Sequence, residues 1–155
     1  MIQPLRVEAK IVDARVGRDF PPPQYATAAA AGMDLRACLD APLKIAPGET
    51  AEIGTGVAIS IRDSDYMALL APRSGLGVKH GIVLANTVGI IDADYQDEIR
   101  AALFNRGDAP YQIAPGERIC QLIIMPIARA SLEIVAEFSQ TTARGKGGFG
   151  STGRF

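Results

Sequence analysis

Ile113-Ala114-Pro115-Gly116-Glu117-Arg118-Ile119-Cys120-Gln121-Leu122-Ile123-Ile124-Met125-Pro126 is the stretch that decides the fold. Its Pro-Gly pair fits the central positions of a type II turn, whose second residue needs the positive φ that glycine adopts freely. From Ile119 to Ile124 the chain is apolar at nearly every position, the pattern of a strand buried on both faces. The same turn occurs upstream as Ile45-Ala46-Pro47-Gly48-Glu49, so each copy marks a reversal leading into an apolar strand. Two copies do not make a repeat architecture, and a shared turn solution accounts for them.

Outward from these turns, short runs rich in Val and Ile are cut repeatedly by Gly, Pro, Asp and Asn. That spacing is the sequence form of a β-sandwich or barrel, and helical periodicity is scarce. Strands are expected at 5–12, 56–61, 66–71, 81–84, 98–105, 118–126 and 132–136, with one short helix opening at Ser74 after Pro72. Phe20-Pro21-Pro22-Pro23 lacks the donors of a central strand and reads as a rigid surface connection. After Phe138 the chain becomes polar and rich in glycine, with Gly145, Gly147, Gly148, Gly150 and Gly153. The reading is an all-β domain over 1–138 and a mobile arm over 139–155.

The 155 residues suit one domain, and 48% hydrophobic with 21% charged residues excludes a disordered chain. No apolar run reaches the roughly 20 residues that span a bilayer. The opening residues alternate apolar and charged positions, unlike a signal peptide, so a cytoplasmic location and no membrane partner are expected. Cys38 and Cys120 form neither a disulfide framework nor a zinc motif and are expected to be buried. His80, the only histidine, lacks a cluster that would make it a metal ligand. A net charge of −1 excludes general attraction to nucleic acid. A polyanionic ligand therefore needs local positive charge, for which Arg73, Arg106, Arg118, Arg144 and Lys146 are candidates.

Two patterns in the tail mislead. Gly145-Lys146-Gly147-Gly148-Phe149-Gly150 satisfies GxGxxG, but that fingerprint needs a strand before it and a helix after it. Gly145 and Gly150 also have P-loop spacing, yet Ser151 stands where lysine is required. What remains is the underlying chemistry: glycines let backbone N–H groups approach phosphate oxygens, and Arg144, Ser151 and Thr152 add donors. Phe149 has no core to join there, and its expected partner is a flat ligand or another subunit.

Five segments then occur in order. They are Ala31-Gly32-Met33-Asp34-Leu35, Pro72-Arg73-Ser74-Gly75-Leu76-Gly77, Asn86 with Gly89-Ile90-Ile91-Asp92-Ala93-Asp94-Tyr95, Gly116-Glu117-Arg118-Ile119-Cys120-Gln121, and 144–153 of the tail. Together they resemble the five motifs of the trimeric dUTPases. The resemblance implies a distorted jelly-roll of the dUTPase type, a homotrimer, and Mg²⁺-assisted cleavage of dUTP to dUMP and pyrophosphate. It makes Asp92 the general base for a water attacking the α-phosphorus. It makes the 86–95 hairpin the uracil pocket, with Asn86, Ile90, Ile91 and Arg100 at the base and Tyr95 against the deoxyribose. Arg73, Ser74, Gly75 and Gln121 are implied to bind phosphates, and Asp34 to hold waters around Mg²⁺. Arg144, Phe149, Ser151 and Thr152 are implied to close over the substrate from a neighbouring subunit. A dCTP deaminase, which shares the fold, is the nearest alternative, and the intact hairpin and arm favour hydrolysis.

One position departs from the family pattern: Asp97 follows Tyr95-Gln96 where glycine is usual. If the glycine serves a positive φ, aspartate adopts it at about 1 kcal/mol. If it serves clearance, the pocket edge shifts.

Overall fold

The computed structural model describes residues 5–148. Among these, ten strands are β1 (Glu8–Ile11), β2 (Met33–Arg36), β3 (Leu43–Ile45), β4 (Thr50–Ser60), β5 (Tyr66–Pro72), β6 (Ile82–Leu84), β7 (Gly89–Ile91), β8 (Glu98–Asn105), β9 (Tyr111–Ile113) and β10 (Arg118–Pro126). The helix α2 (Ser74–His80) begins where expected, whereas α1 (Arg15–Arg18) is a single turn broken by an extended Val16 and a left-handed Gly17. The expected β-sandwich is the fold observed. One sheet runs β1-β4-β8-β6, a second runs β2-β10-β5-β7, and β3 pairs with β9. Every strand pairing is antiparallel.

The core lies where the inward residues of both sheets meet. Ile53, Val57 and Ile59 of β4, Ile99, Ala101 and Leu103 of β8, Ala68 and Leu70 of β5, and Cys120 and Leu122 of β10 are all buried. Alternation along β8 follows the two-residue period of a strand with one face in the core. Both Pro-Gly turns are as read: Gly48 and Gly116 have φ of +79° and +75°, and Glu49 and Glu117 close them with N–H bonds to Ala46 and Ala114. Each glutamate also turns its carboxylate back onto the first amide of its turn, at 2.9 and 2.8 Å. The strands leading into the two turns, β3 and β9, pair with each other.

The structure corrects four expectations about strands. β2, β3, β7 and β9 have only three or four residues each, too few for alternation to show in the sequence. β4 begins at Thr50, because Thr50 to Gly54 ladder with Phe104 to Arg100 despite their polar look. Residues 132–136 form no strand: Leu132 and Ile134 are 84% and 91% exposed, and β10 already has β2 and β5 on its two sides. β10 is also not buried on both faces. Cys120 and Leu122 enter the core, while Gln121 and Ile123 on the other face are only half-buried.

Asn105, at the end of β8, is fully buried and bonded at every polar group. Its Nδ2 donates to the carbonyls of Ile45 and Ala109, and its Oδ1 accepts the Gly107 N–H, each at 2.9 Å. Its backbone bonds to Gly48 and Glu49. One side chain thus joins the first Pro-Gly turn to the β8–β9 connection. Asn105→Ala leaves one buried and two partly buried backbone groups without these partners and is expected to destabilise the protein by about 2 kcal/mol. Urea unfolding at a fixed protein concentration measures this, and a loss under about 0.5 kcal/mol contradicts the assignment.

Both cysteines are free. Burial pushes the Cys120 thiol up to about 12, and burial with the nearby Asp13 carboxylate pushes half-buried Cys38 up to about 11. Thiolate is the reactive form, so neither cysteine should react quickly with an aromatic disulfide reagent at about pH 8 in the folded protein. Both should react at once in denaturant; fast labelling of the folded protein contradicts this.

Candidate active site

β5 ends at Pro72 and hands the chain directly to Arg73 and the helix α2. Arg73 occupies the N-cap position in an extended conformation and Ser74 is the first helical residue, with no side chain capping the turn. Ser74 is therefore not the N-cap that its type favours, and its hydroxyl stays free of that role. The Arg73 guanidinium donates through Nε to Asp34 Oδ1 at 2.9 Å and through a terminal nitrogen to the Arg118 carbonyl at 3.2 Å. Arg118 reaches the second oxygen of Asp34 at 3.1 Å. Gln121, on the adjacent strand β10, donates to the Pro72 carbonyl at 3.2 Å. Arg73, Ser74, Gln121, Arg106 and Thr87 line one cavity of about 380 Å³.

A second cavity of about 390 Å³ lies where the 86–95 segment crosses from one sheet to the other beside β8, and Asn86, Ile90, Ile91, Asp92, Tyr95 and Arg100 line it. The segment is not the hairpin expected from the sequence, because β6 ladders with β8 and β7 with β5. Gly89 opens β7 because that strand runs tight against β5, and a Cβ there would come within 2.9 Å of Leu70 Cβ. Ile91 is buried, whereas Ile90 and Tyr95 are 59% and 43% exposed. The Asp92 carbonyl accepts the Tyr95 N–H at 3.1 Å, a turn that holds the exposed Asp92 carboxylate at the cavity wall. Tyr95 Oη donates to the Glu98 carbonyl at 3.0 Å. The Arg100 guanidinium is committed to Glu52 and Glu98 and so does not present a free cation to the cavity.

The residues singled out in the sequence therefore fall into two groups, and Leu84 is the one residue that lines both cavities. The cavity holding Asp92 contains none of Arg73, Ser74 or Gln121. Gly75 lies in the first turn of α2, and the space beside it is open. Arg144 is exposed and, among the described residues, its side chain bonds locally, to the Gly147 carbonyl at 3.1 Å. Phe149, Ser151 and Thr152 lie outside the described residues. Among the polar lining residues, Glu52 and Thr87 carried no sequence signal as site residues, and Arg106 was marked only as a candidate charge. Thr87 adopts φ +67°, an outlier for a β-branched residue, and no local pattern announces it.

Asp97 does not need a positive φ, since Arg62 and Thr87 are the non-glycine residues with that conformation among those described. Its carboxylate accepts the Glu98 N–H at 2.7 Å, so the substitution is absorbed by a local turn.

Among the described residues no cluster of three or more His, Cys, Asp or Glu side chains has a metal-binding arrangement. A Mg²⁺ that keeps its waters and takes phosphate oxygens needs no such cage. Each Asp34 oxygen already accepts one guanidinium bond and keeps one further acceptor site, which suits a hydrogen bond from a metal-bound water.

Comparison with known proteins agrees with this geometry. The dUTPase family model matches residues 18–153. The deoxyuridine 5'-triphosphate nucleotidohydrolase of Idiomarina loihiensis is 56% identical over 149 residues, covering 96% of this chain and 98% of that relative. Among solved structures, the dUTPase of Staphylococcus bacteriophage 80alpha with dUPNHPP aligns with a TM-score of 0.84 at 29% identity, covering 96% of this chain and 98% of that one. A mutant dUTPase from phage phi11 of S. aureus, for which the coordination of a structural Mg(II) ion is described, aligns with a TM-score of 0.76 at 25% identity over 87% of this chain and 99% of that one. With two cavities lined by residues of the second, third and fourth motifs, a family model spanning 18–153, and a relative more than half identical along 149 residues, the chain belongs to the dUTPase family.

Proposed function

We propose that this chain hydrolyses dUTP to dUMP and pyrophosphate, limiting uracil entry into DNA and supplying dUMP for thymidylate synthesis. The observation that carries the reading is the cavity in which Asn86, Asp92 and Tyr95 converge, in a chain 56% identical to a named deoxyuridine triphosphate nucleotidohydrolase. Uracil enters between the Asn86 amide and the backbone of Gly89 to Ile91, with Arg100 contributing through its main chain because its guanidinium is already paired. Thymine is rejected by its methyl group, and cytosine by a donor-to-donor mismatch worth about 1–3 kcal/mol per unpaired group. Tyr95 stands against the deoxyribose and fills the space of a 2′-hydroxyl. Asp92 orients a water and takes its proton for in-line attack on the α-phosphorus.

Arg73, Ser74, Gly75 and Gln121 bind the phosphates, and Arg106 adds positive charge to the same cavity. A bound Mg²⁺ would supply charge neutralisation at the phosphates, and Asp34 would hold its waters. Because the nucleoside and phosphate groups line different cavities of one chain, we assign the complete site to a homotrimer in which they come from different subunits. The outer face of the second sheet supports association: Met67, Leu69, Ile90, Ile123 and Met125 lie on it half-buried or exposed. Leu132, Ile134 and Phe138 are more than four-fifths exposed, a surface that favours burial against another copy. The 139–155 arm supplies Arg144, Phe149, Ser151 and Thr152 to a neighbour's site and closes it against water. Two free cysteines go with a reducing, cytoplasmic location. No described helix is long and apolar enough to cross a membrane.

Asp92→Asn keeps the shape of the side chain but accepts no proton, so kcat should fall by about 100-fold or more while dUTP binding persists. Pyrophosphate release and equilibrium titration test this, and an unimpaired kcat removes Asp92 from the role of base. Ammonia release from dCTP, measured in parallel, should be nil; its appearance would make the chain a deaminase.

Hydrolysis of dUTP should exceed that of dTTP, dCTP and UTP by well over about tenfold in kcat/KM, since base edge, 5-position and 2′-position are each tested. Comparable values for dTTP would mean that the 86–95 segment is not the uracil pocket. Deleting residues 144–155 should leave the thermal midpoint nearly unchanged and abolish most turnover, whereas full activity would deny the arm a catalytic role.

A further inference from the structure

The wider of the two register shifts in the sheets lies beside the nucleoside cavity. β4 advances four residues from Gly54 to Ala58 while β8 advances only two, from Arg100 to Glu98, so part of β4 is looped out of the ladder. Gly56 sits in that loop, buried and at φ +71°. Its N–H finds no strand carbonyl and donates instead to Glu98 Oε1 at 2.8 Å. The same carboxylate lies over Gly54, where a Cβ would come within 2.5 Å of Oε1. Its other oxygen pairs with Arg100 at 3.0 Å, and Arg100 continues to Glu52.

The main chain of Glu98 faces the opposite task. Its carbonyl accepts the Tyr95 hydroxyl at 3.0 Å, and its N–H is held by Asp97 at 2.7 Å. Tyr95, Arg100 and Glu52 line the cavity, and Glu98 itself does not. We propose that Glu98 is a positioning residue for sugar selectivity. Its carboxylate, seated on the Gly56 amide and Arg100, fixes the carbonyl that anchors Tyr95 Oη, and so sets how closely the phenol ring stands to the 2′-position. The inference rests on the reading of Tyr95 as the wall against the deoxyribose. Asp97 belongs to the same device, since it holds the Glu98 amide from the other side.

The test is the ratio of kcat/KM for dUTP to that for UTP, in which any change in the folded fraction of enzyme cancels. Glu98→Ala removes both carboxylate contacts and should lower the ratio about tenfold, with the dUTP loss appearing in KM more than in kcat. Glu98→Gln keeps an oxygen for the Gly56 N–H and should retain most of the selectivity. Gly54→Ala displaces the carboxylate without altering residue 98 and should reproduce the alanine variant. Should Glu98→Ala fail to fold, Gly54→Ala decides alone. Tyr95→Ala is the control for the underlying reading. If it collapses the ratio while Glu98→Ala and Gly54→Ala stay within about twofold of the unmodified protein, Glu98 has no positioning role and the Tyr95 wall stands. If Tyr95→Ala leaves the ratio unchanged as well, the wall itself is wrong and the inference falls with it.

Discussion

β5 lies between β10 on one side and β7 on the other, and its double register is the constraint on which the site depends. Gln121 stands opposite Ala71, and Ile123, Leu69 and Ile90 form one row across the three strands. Because side chains alternate with period two, a slip of one residue would carry Gln121 into the core and bring Cys120 and Leu122 out of it. The same register seats Gly89 against Leu70, which sets the 86–95 segment along its cavity. β5 then ends at Pro72, so the start of α2 is delivered at the same end of the strand as Gln121.

That arrangement also separates the two halves of the site. β10 and β7 flank β5, so they stand two strand spacings apart, roughly 10 Å. Arg73, Ser74 and Gln121 gather on the β10 side, and Asn86, Asp92 and Tyr95 on the β7 side. Charge is sorted the same way: Arg73 and Arg106 line the first cavity, whereas Glu52 and Asp92 line the second with Arg100 as the balancing cation. A chain of net charge −1 thus offers a triphosphate a local cationic surface. On the proposed reading, the exposed Asp92 carboxylate stands where a water is to be deprotonated.

Much of this was legible in the sequence because it is written in local chemistry. The Pro-Gly turns at 45–49 and 113–117, the helix after Pro72 and the alternation of β8 each follow from residue type and spacing. The short strands β2, β3, β7 and β9 were not legible, since three or four residues carry no period and long-range pairing alone makes them strands. Residues 132–136 were misread for the converse reason: their composition is that of a strand, but the single chain provides no ladder for them. Within the site, motif residues such as Asn86, Asp92 and Ser74 were identified by resemblance. Glu52, Thr87 and the anchoring of Glu98 depend on a bulge and on a connection between the two sheets whose geometry no local pattern records. Asp97 looked disruptive by its position and is accommodated by a single hydrogen bond to the next amide.

The central claim is that the Arg73 and Asp92 halves of one working site come from different copies of the chain. Mixing Asp92→Asn protein with Arg73→Gln protein, each nearly inactive alone, and allowing subunits to exchange tests this most directly. Some mixed sites then pair an intact Arg73 from one subunit with an intact Asp92 from another, and dUTP hydrolysis should rise well above the sum of the separate variants. If exchange is demonstrated by labelled subunits and activity stays at that sum, both halves act within one chain and the account is contradicted.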